Sequence, residues 1–222
     1  MRYQLNWSAV LDQLPLLGRG LILSIEISIV AYIISLVGGL IIALLRLSPW
    51  WPVRVIAFVY TQFFRAISVY IYIIWIYFGL AVALGINTSP FAASIIAIAL
   101  LHSAYMSEIY RSTIDSVPSG QRDAARSLGL GRIRTFFDVV LPQALMIAVP
   151  QLVNQLTMII KDSSVVALIG AKDLMAETMR AANLEFRSFE FYTTAALIYL
   201  AMVLLVSWVS VWIERRLRVS LS

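Results

Sequence analysis

The chain contains one histidine, His102, and no cysteine. A lone imidazole has no second ligand of its own kind, so it reads as a hydrogen-bonded packing residue before a metal ligand. No HExxH, GxSxG or GxxxxGK[ST] run occurs, so no zinc-protease, serine-hydrolase or nucleotide-binding chemistry is written here. What remains is a set of hydrogen-bonding side chains embedded in apolar sequence. His102 and Ser103 sit together, as do Gln151, Asn154 and Gln155, and Tyr72 lies beside Tyr70 and Trp75. Such groups suit weak, exchangeable bonds to a passing solute, or bonds that hold one helix to another. Both readings stand at this level. Lys161, Asp162, Ser163 and Ser164 form a further polar cluster, read either as a gate or as a Lys–Asp pair capping a helix at an interface. Glu108 and Arg111 are three apart and are expected to pair and to brace the segment that follows. Glu26 is expected to reach the headgroups or to pair with Arg19.

The elements that must position these groups follow from composition. The 222 residues are 61% hydrophobic and 13% charged, against roughly half and a quarter in soluble domains. Mean hydropathy is +0.87. A soluble fold of this size has too little interior to hide that much apolar surface, so lipid is the expected solvent. Five stretches are long enough to cross ~30 Å of hydrocarbon as helices. They are residues 20–45, 67–84, 91–110, 143–160 and 191–213, the second preceded by an interfacial-looking run over 53–64. The apolar run from Leu21 to Leu45 is longer than a cleavable signal core and is read as retained.

Orientation is expected from the basic residues. With the N-terminus outside, eleven arginines fall inside (46, 54, 65, 111, 122, 126, 132, 134, 215, 216 and 218) and six basic residues outside (Arg2, Arg19, Lys161, Lys172, Arg180 and Arg187). The expectation is an all-α membrane protein of about five transmembrane helices, N-out and C-in, forming one domain. Residues 111–142 then face the cytoplasm, and Arg215, Arg216 and Arg218 anchor the C-terminus at the inner leaflet.

That polar segment is too long for a plain connection. Ser119 is positioned to cap a helix through Leu128, with Asp123 near its first turn and Gly129 to stop it. Ile133, Phe136, Phe137 and Val140 recur at helical spacing before Leu141-Pro142 opens the fourth span. The small residues Ala124 and Ala125 are expected at the tip, where another protein's backbone can approach.

Asp123-Ala124-Ala125, then Gly129, then Val139-x-Leu141-Pro142 resembles the EAA loop of bacterial ABC importer permeases at matching spacing, with Asp for Glu and Val for Ile. The stretches Ala104-Tyr105-Met106-Ser107-Glu108-Ile109-Tyr110-Arg111, Ser116-Val117-Pro118-Ser119-Gly120-Gln121, Leu141-Pro142-Gln143-Ala144 and Lys161-Asp162-Ser163-Ser164 resemble those of polar amino-acid permeases. At the second span the family's Arg is kept as Arg65 but its Pro is replaced, in Phe64-Arg65-Ala66-Ile67-Ser68.

The resemblance implies a MetI-like fold and a chain that is not itself an enzyme. It implies that Asp123, Ala124, Ala125, Gly129, Leu141 and Pro142 couple to a separate ABC ATPase, which carries ATP and Mg while this chain binds no cofactor. It further implies a second permease copy or paralogue, a periplasmic or lipid-anchored binding protein, a polar amino-acid substrate, and a place in the bacterial inner (cell) membrane. Nucleic acid is not among the expected partners. The competing classes are an intramembrane enzyme, for which paired catalytic groups are missing, a secondary transporter, for which no repeat is visible, and a transport-inactive scaffold.

Overall fold

The structure, a computed structural model, describes residues 4–219. Arg2 lies outside the described residues, as do the side chains of Arg216 and Arg218. Lipid offers no partner for backbone N–H and C=O groups, so helices are required, and among the described residues no strand is present. A short α1 (Ser8–Asp12) leads into α2 (Leu14–Arg46). Then come α3 (Trp51–Ala66), α4 (Val69–Ile74), a π turn (Trp75–Gly79) and α5 (Leu80–Leu84). The long α6 (Pro90–Ser116) is followed by α7 (Ser119–Ser127), α8 (Arg132–Arg134), a π turn (Thr135–Val140) and α9 (Leu141–Ser163). A 3-10 turn (Ser164–Ile169) leads to α10 (Leu174–Glu185) and α11 (Ser188–Val219).

Among the described residues, Leu14–Arg46, Pro90–Ser116, Arg132–Ile169 and Ser188–Ile213 are long and apolar enough to cross a bilayer. The fifth candidate is a broken one: Trp51–Ala66 and Val69–Leu84 meet at 105°. Residues 53–64, expected at an interface, lie in a helix with one face packed on the bundle and the rest exposed. Ala57 and Thr61 are buried, and Tyr60 donates to the Leu100 carbonyl of α6 at 2.9 Å. The bend follows from Ile67 and Ser68, both extended, between two helices.

The core is organised by α2 and α6, which run parallel in close contact. α2 turns a stripe of small residues inward at helical spacing: Gly20, Ser24, Ser28, Ala31, Ser35, Gly39 and Ala43. A Cβ on Gly39 would lie 2.6 Å from the Met106 Cβ, so only glycine permits this approach. Ser28 and Ser35 return their hydroxyls to carbonyls one turn back, which satisfies these two buried donors. The opposite face of α2 (Ile22, Ile29, Ile33, Val37) is exposed, as lipid contact requires. Ile27, Ile73, Ile98, Met106 and Ile159 fill the centre.

At the end where α2 begins, α10 closes the bundle. Asp173 caps it by accepting from Ala176 N at 2.9 Å and Met175 N at 3.2 Å. Its backbone touches α2 at Gly20, where any Cβ would meet the Asp173 carbonyl at 2.8 Å. Burial pushes the Asp173 carboxyl up from its ordinary 3.8 to about 6, although the two capping N–H groups and the Tyr199 hydroxyl oppose the shift.

Candidate functional site

Two places carry the polar side chains singled out by the sequence. The first lies half-way along α6. His102, 1% exposed, points from α6 toward α9 and the bend at residues 67–69. Gln155 places its Nε2 2.6 Å from His102 Nδ1. His102 Nε2 lies 3.0 Å from Asp162 Oδ2. With the amide donating to Nδ1, a neutral imidazole carries its proton on Nε2 and donates to the carboxylate. The chain Gln155–His102–Asp162 therefore fixes a carboxylate at the wall of a cavity of about 430 Å³. Tyr105, Met158 and Ser68 complete that wall. Asp162 keeps about a third of its side chain accessible, and among the described residues its Oδ1 has no partner. Such an oxygen can accept from a donor-rich solute group, while Oδ2 is held in place.

Of the residues expected on a path, His102 and Gln155 meet here, and the structure adds Asp162 from the expected gate. The Lys161–Asp162 pair, one of the two readings of this cluster, does not form. Asp162 turns to His102, and Lys161 is exposed with no ion pair. Adjacent helical residues point about 100° apart, so they do not face one another. Ser163 and Ser164 return their hydroxyls to the Ile160 and Lys161 carbonyls. Ser103 faces away from the cavity, within 2.7 Å of the Tyr60 hydroxyl, and joins α6 to α3. Tyr72 donates to the Phe63 carbonyl at 3.0 Å and stacks on Phe64, so it staples the bend. Gln151 and Asn154 are exposed, on the face of α9 that also carries Gln155, Met158 and Asp162 at spacings of three and four. Among the described residues no cluster of His, Asp and Glu is arranged to hold a metal. Glu26 is exposed and makes no ion pair with Arg19.

The second place is the loop between α6 and α9. Glu108 takes both Arg111, whose Nε lies at 3.0 Å, and Arg46 from the end of α2. Arg111 also reaches Asp115 at 2.6 Å. The loop thus leaves α6 from a braced end. α7 begins at Ser119 itself after the extended Pro118, so Ser119 is the first helical residue and makes no capping bond, contrary to expectation. Asp123 accordingly falls in the second turn. Gly129 ends α7 at φ 82°, with Gly129 N bonded to Arg126 O and Leu130 N to Ala125 O, the two bonds of a Schellman motif. Asp123 and Ala124 are exposed, but Ala125 is 4% exposed and packs inward, so the tip is narrower than the sequence suggested. The following segment does not restart at Leu141. It runs from Arg132 through a π turn into α9. Pro142 has no N–H for the carbonyl one turn back, and the widened register comes just before it.

A family model described as binding-protein-dependent transport system inner membrane component matches residues 35–219. The chain belongs to that family. Among related permeases, the arginine transport system permease protein ArtQ of Bacillus subtilis (strain 168) is 34% identical over 214 residues, covering 96% of this chain and 98% of its own. The glutamine transport system permease protein GlnP of Escherichia coli (strain K12) is 33% identical over 221 residues, covering 97% and 99%. A solved amino acid ABC transporter, crystallised with histidines, superposes with a TM-score of 0.93 at 33% identity, over 96% of this chain and 100% of that one. The MetNI methionine ABC transporter in an inward-facing form shares the fold, with a TM-score of 0.79 at 18% identity. The permease is therefore all-helical with a MetI-like fold, as expected from its sequence, and its family is one of transport components without catalysis of their own.

Proposed function

We propose that this permease forms the translocation path of an ATP-driven importer for a polar amino acid, in the bacterial inner membrane with its N-terminus outside. The observation that carries the reading is the Gln155–His102–Asp162 chain at the wall of the cavity beside the middle of α6. An ionisable group at that depth is costly unless it serves a solute or a partner. Asp162 offers a pre-oriented acceptor for an ammonium, amide or guanidinium group, and relatives named for arginine and glutamine transport carry such groups. Gln151 and Asn154 extend the polar face toward the loop end of α9 and form the lower path.

The loop drives the cycle. Residues 111–142 form one domain with the spans, and Asp123, Ala124 and Gly129 dock a separate ATPase that binds ATP and Mg. Leu141 and Pro142 transmit its movement through the π turn into α9, the helix that holds Gln155 and Asp162. Glu108 and Arg111 brace the loop against α2. Lys161, Ser163 and Ser164 border the outer gate. Five spans enclose too little space for a gated path, so a second permease copy or paralogue completes it, and a binding protein delivers solute from outside.

The test is uptake by the complete transporter in proteoliposomes, with labelled arginine, glutamine and histidine. Asp162→Asn should lower uptake of the transported solute while basal ATPase activity persists. Unchanged uptake with Asp162→Asn and with His102→Ala would remove the solute site from this cavity.

A further inference from the structure

At the loop end of the bundle, two recesses adjoin and share Leu47, Ile114 and Phe136. One is a cup of about 280 Å³ edged by Arg122, Arg126 and Arg132. Its single carboxylate, Asp115, is engaged by Arg111. Among the described residues, none of the three cup arginines has an acidic partner. Arg122 is held against the Ile114 carbonyl at 2.7 Å, and its Nε is buried without a hydrogen-bond partner. A buried unmet donor is costly, and three guanidinium groups edging one recess repel one another unless an anion lies among them.

The second recess, of about 300 Å³, runs from the cup toward the bilayer centre between α2, α6 and α9. Leu40, Leu44, Phe137, Leu145 and Ala148 line it. Its two hydroxyl residues present no polar atom to it, because Tyr110 donates to the Leu36 carbonyl and Thr113 to those of Ile109 and Tyr110. From Leu47 to Leu40 it follows α2 for about 10 Å. Leu44 and Phe137 are more than half exposed at its rim, so it opens sideways toward lipid.

We propose that this joined pair of recesses is a binding site for one anionic phospholipid of the leaflet facing the loop. The phosphate sits among Arg122, Arg126 and Arg132, and the upper part of an acyl chain lies along the groove. Arginine forks match phosphate oxygens two at a time, and basic recesses between spans at the cytoplasmic side suit anionic headgroups. The continuity of cup and groove favours a lipid over an acidic surface of a partner protein, which has no reason to extend into an apolar recess at membrane depth. Because α7 supplies Arg122 and Arg126, and α8 supplies Arg132, an occupied site fastens the loop to the membrane. The inference goes beyond the transport reading and does not depend on which solute is carried.

The test is native mass spectrometry of the full chain in detergent, titrated with phosphatidylglycerol or phosphatidylcholine of identical acyl chains. Phosphatidylglycerol should be retained about ten-fold or more better, at the scale set by two arginines near a membrane surface. R126Q/R132Q, both positions exposed, should abolish that preference. Leu44→Trp, which fills the groove without touching the cup, should also weaken retention, whereas Arg134→Gln, outside the cup, should not. Each variant is first matched to wild type in thermal melting. Equal retention of the two lipids would overturn the proposal, as would equal losses with Arg134→Gln and the double variant, which mean diffuse charge. Full competition by inorganic phosphate with Leu44→Trp silent would make the cup a free-anion site. Loss of ATPase co-purification in the double variant with lipid retention intact would assign the cup to a partner protein.

Discussion

The loop around α7 and the cavity beside His102 are built on opposite principles. The loop is local. Its shape comes from Gly129 in the left-handed region, two Schellman bonds and a brace of Glu108 with two arginines, all but Arg46 within 25 residues of sequence. The cavity is assembled across distance, since His102 meets Gln155 and Asp162 across 53 and 60 residues. Backbone geometry makes the first, and side-chain convergence makes the second. Damage to the loop should therefore uncouple the permease from its ATPase and spare solute recognition. Damage to the cavity should do the reverse.

The largest effect is expected from Gly129→Asp. At φ 82° a side chain is strained by roughly 1–2 kcal/mol, and relief by unwinding the end of α7 moves Asp123 and Ala124. Open space surrounds Gly129, so the cost is conformational and not a clash. Co-purification of a partner ATPase should fall by about ten-fold or more, alongside the modest drop in melting temperature that the strain itself causes in the isolated permease. Full recovery of the ATPase with this variant would break the division between the two regions.

Asp162→Asn comes next. Losing one charge-assisted bond to solute is worth ~1.5–3 kcal/mol, which corresponds to an uptake loss of roughly ten- to a hundred-fold. ATPase binding should stay at wild-type level. A matching loss of ATPase binding would mean that cavity and loop act as one structural unit through α9.

The two regions also differ in how much of them could be read beforehand. The loop's glycine, its small exposed residue and its proline keep fixed spacing in one short stretch, so its pattern survives without a structure. Even there, Ser119 opens the helix without capping it and Ala125 turns inward, because a cap and a buried face depend on where Pro118 lets the helix begin. The five apolar stretches gave the helices and the class of fold. The 105° bend was not legible, since residues 53–64 and 67–84 are both apolar and hydropathy has no direction. In the cavity, His102 and Gln155 stand out as polar groups embedded in apolar sequence, but Asp162 falls in the Lys161–Ser164 cluster, for which the sequence leaves a gate and a Lys–Asp pair both open. Helical geometry alone argued against that pair. Ser103 and Tyr72 are polar groups within apolar spans like the others, yet the turn of the helix sends Ser103 to Tyr60, and the bend gives Tyr72 the Phe63 carbonyl to satisfy.

A smaller effect should separate the brace from both regions. Glu108→Gln removes the charge that holds Arg46 and Arg111, and it leaves two cations beside an amide. The partly exposed cluster limits the loss to about 1–2 kcal/mol, read as a lower melting temperature. Co-purification of the ATPase should drop only two- to three-fold, less than for Gly129→Asp. A loss as large as that of Gly129→Asp would show that Glu108, and not the loop's own backbone, sets the loop's shape.

The smallest effect on uptake and ATPase binding concerns Asp173, which lies at the opposite end from the loop and outside the cavity. Its folded carboxyl titrates near 6, against about 3.8 when exposed. Below pH 4 it is neutral in both states, and the fold keeps the full benefit of an uncharged buried group. As pH rises from 4 to 6 the unfolded chain releases its proton first, so that benefit is lost progressively, and above 6 the contribution is flat. Asp173→Asn keeps an acceptor for the Ala176 and Met175 N–H groups and carries no charge at any pH. The melting temperature of wild type minus that of the variant should therefore fall between pH 4 and 6, by the equivalent of about 3 kcal/mol, and stay level above. A difference that rises with pH would mean that the capping bonds outweigh burial and that the carboxyl prefers its charge. Uptake and ATPase binding should not respond to the variant at all. A change in uptake would make α10 a third working region and end the two-part contrast between loop and cavity.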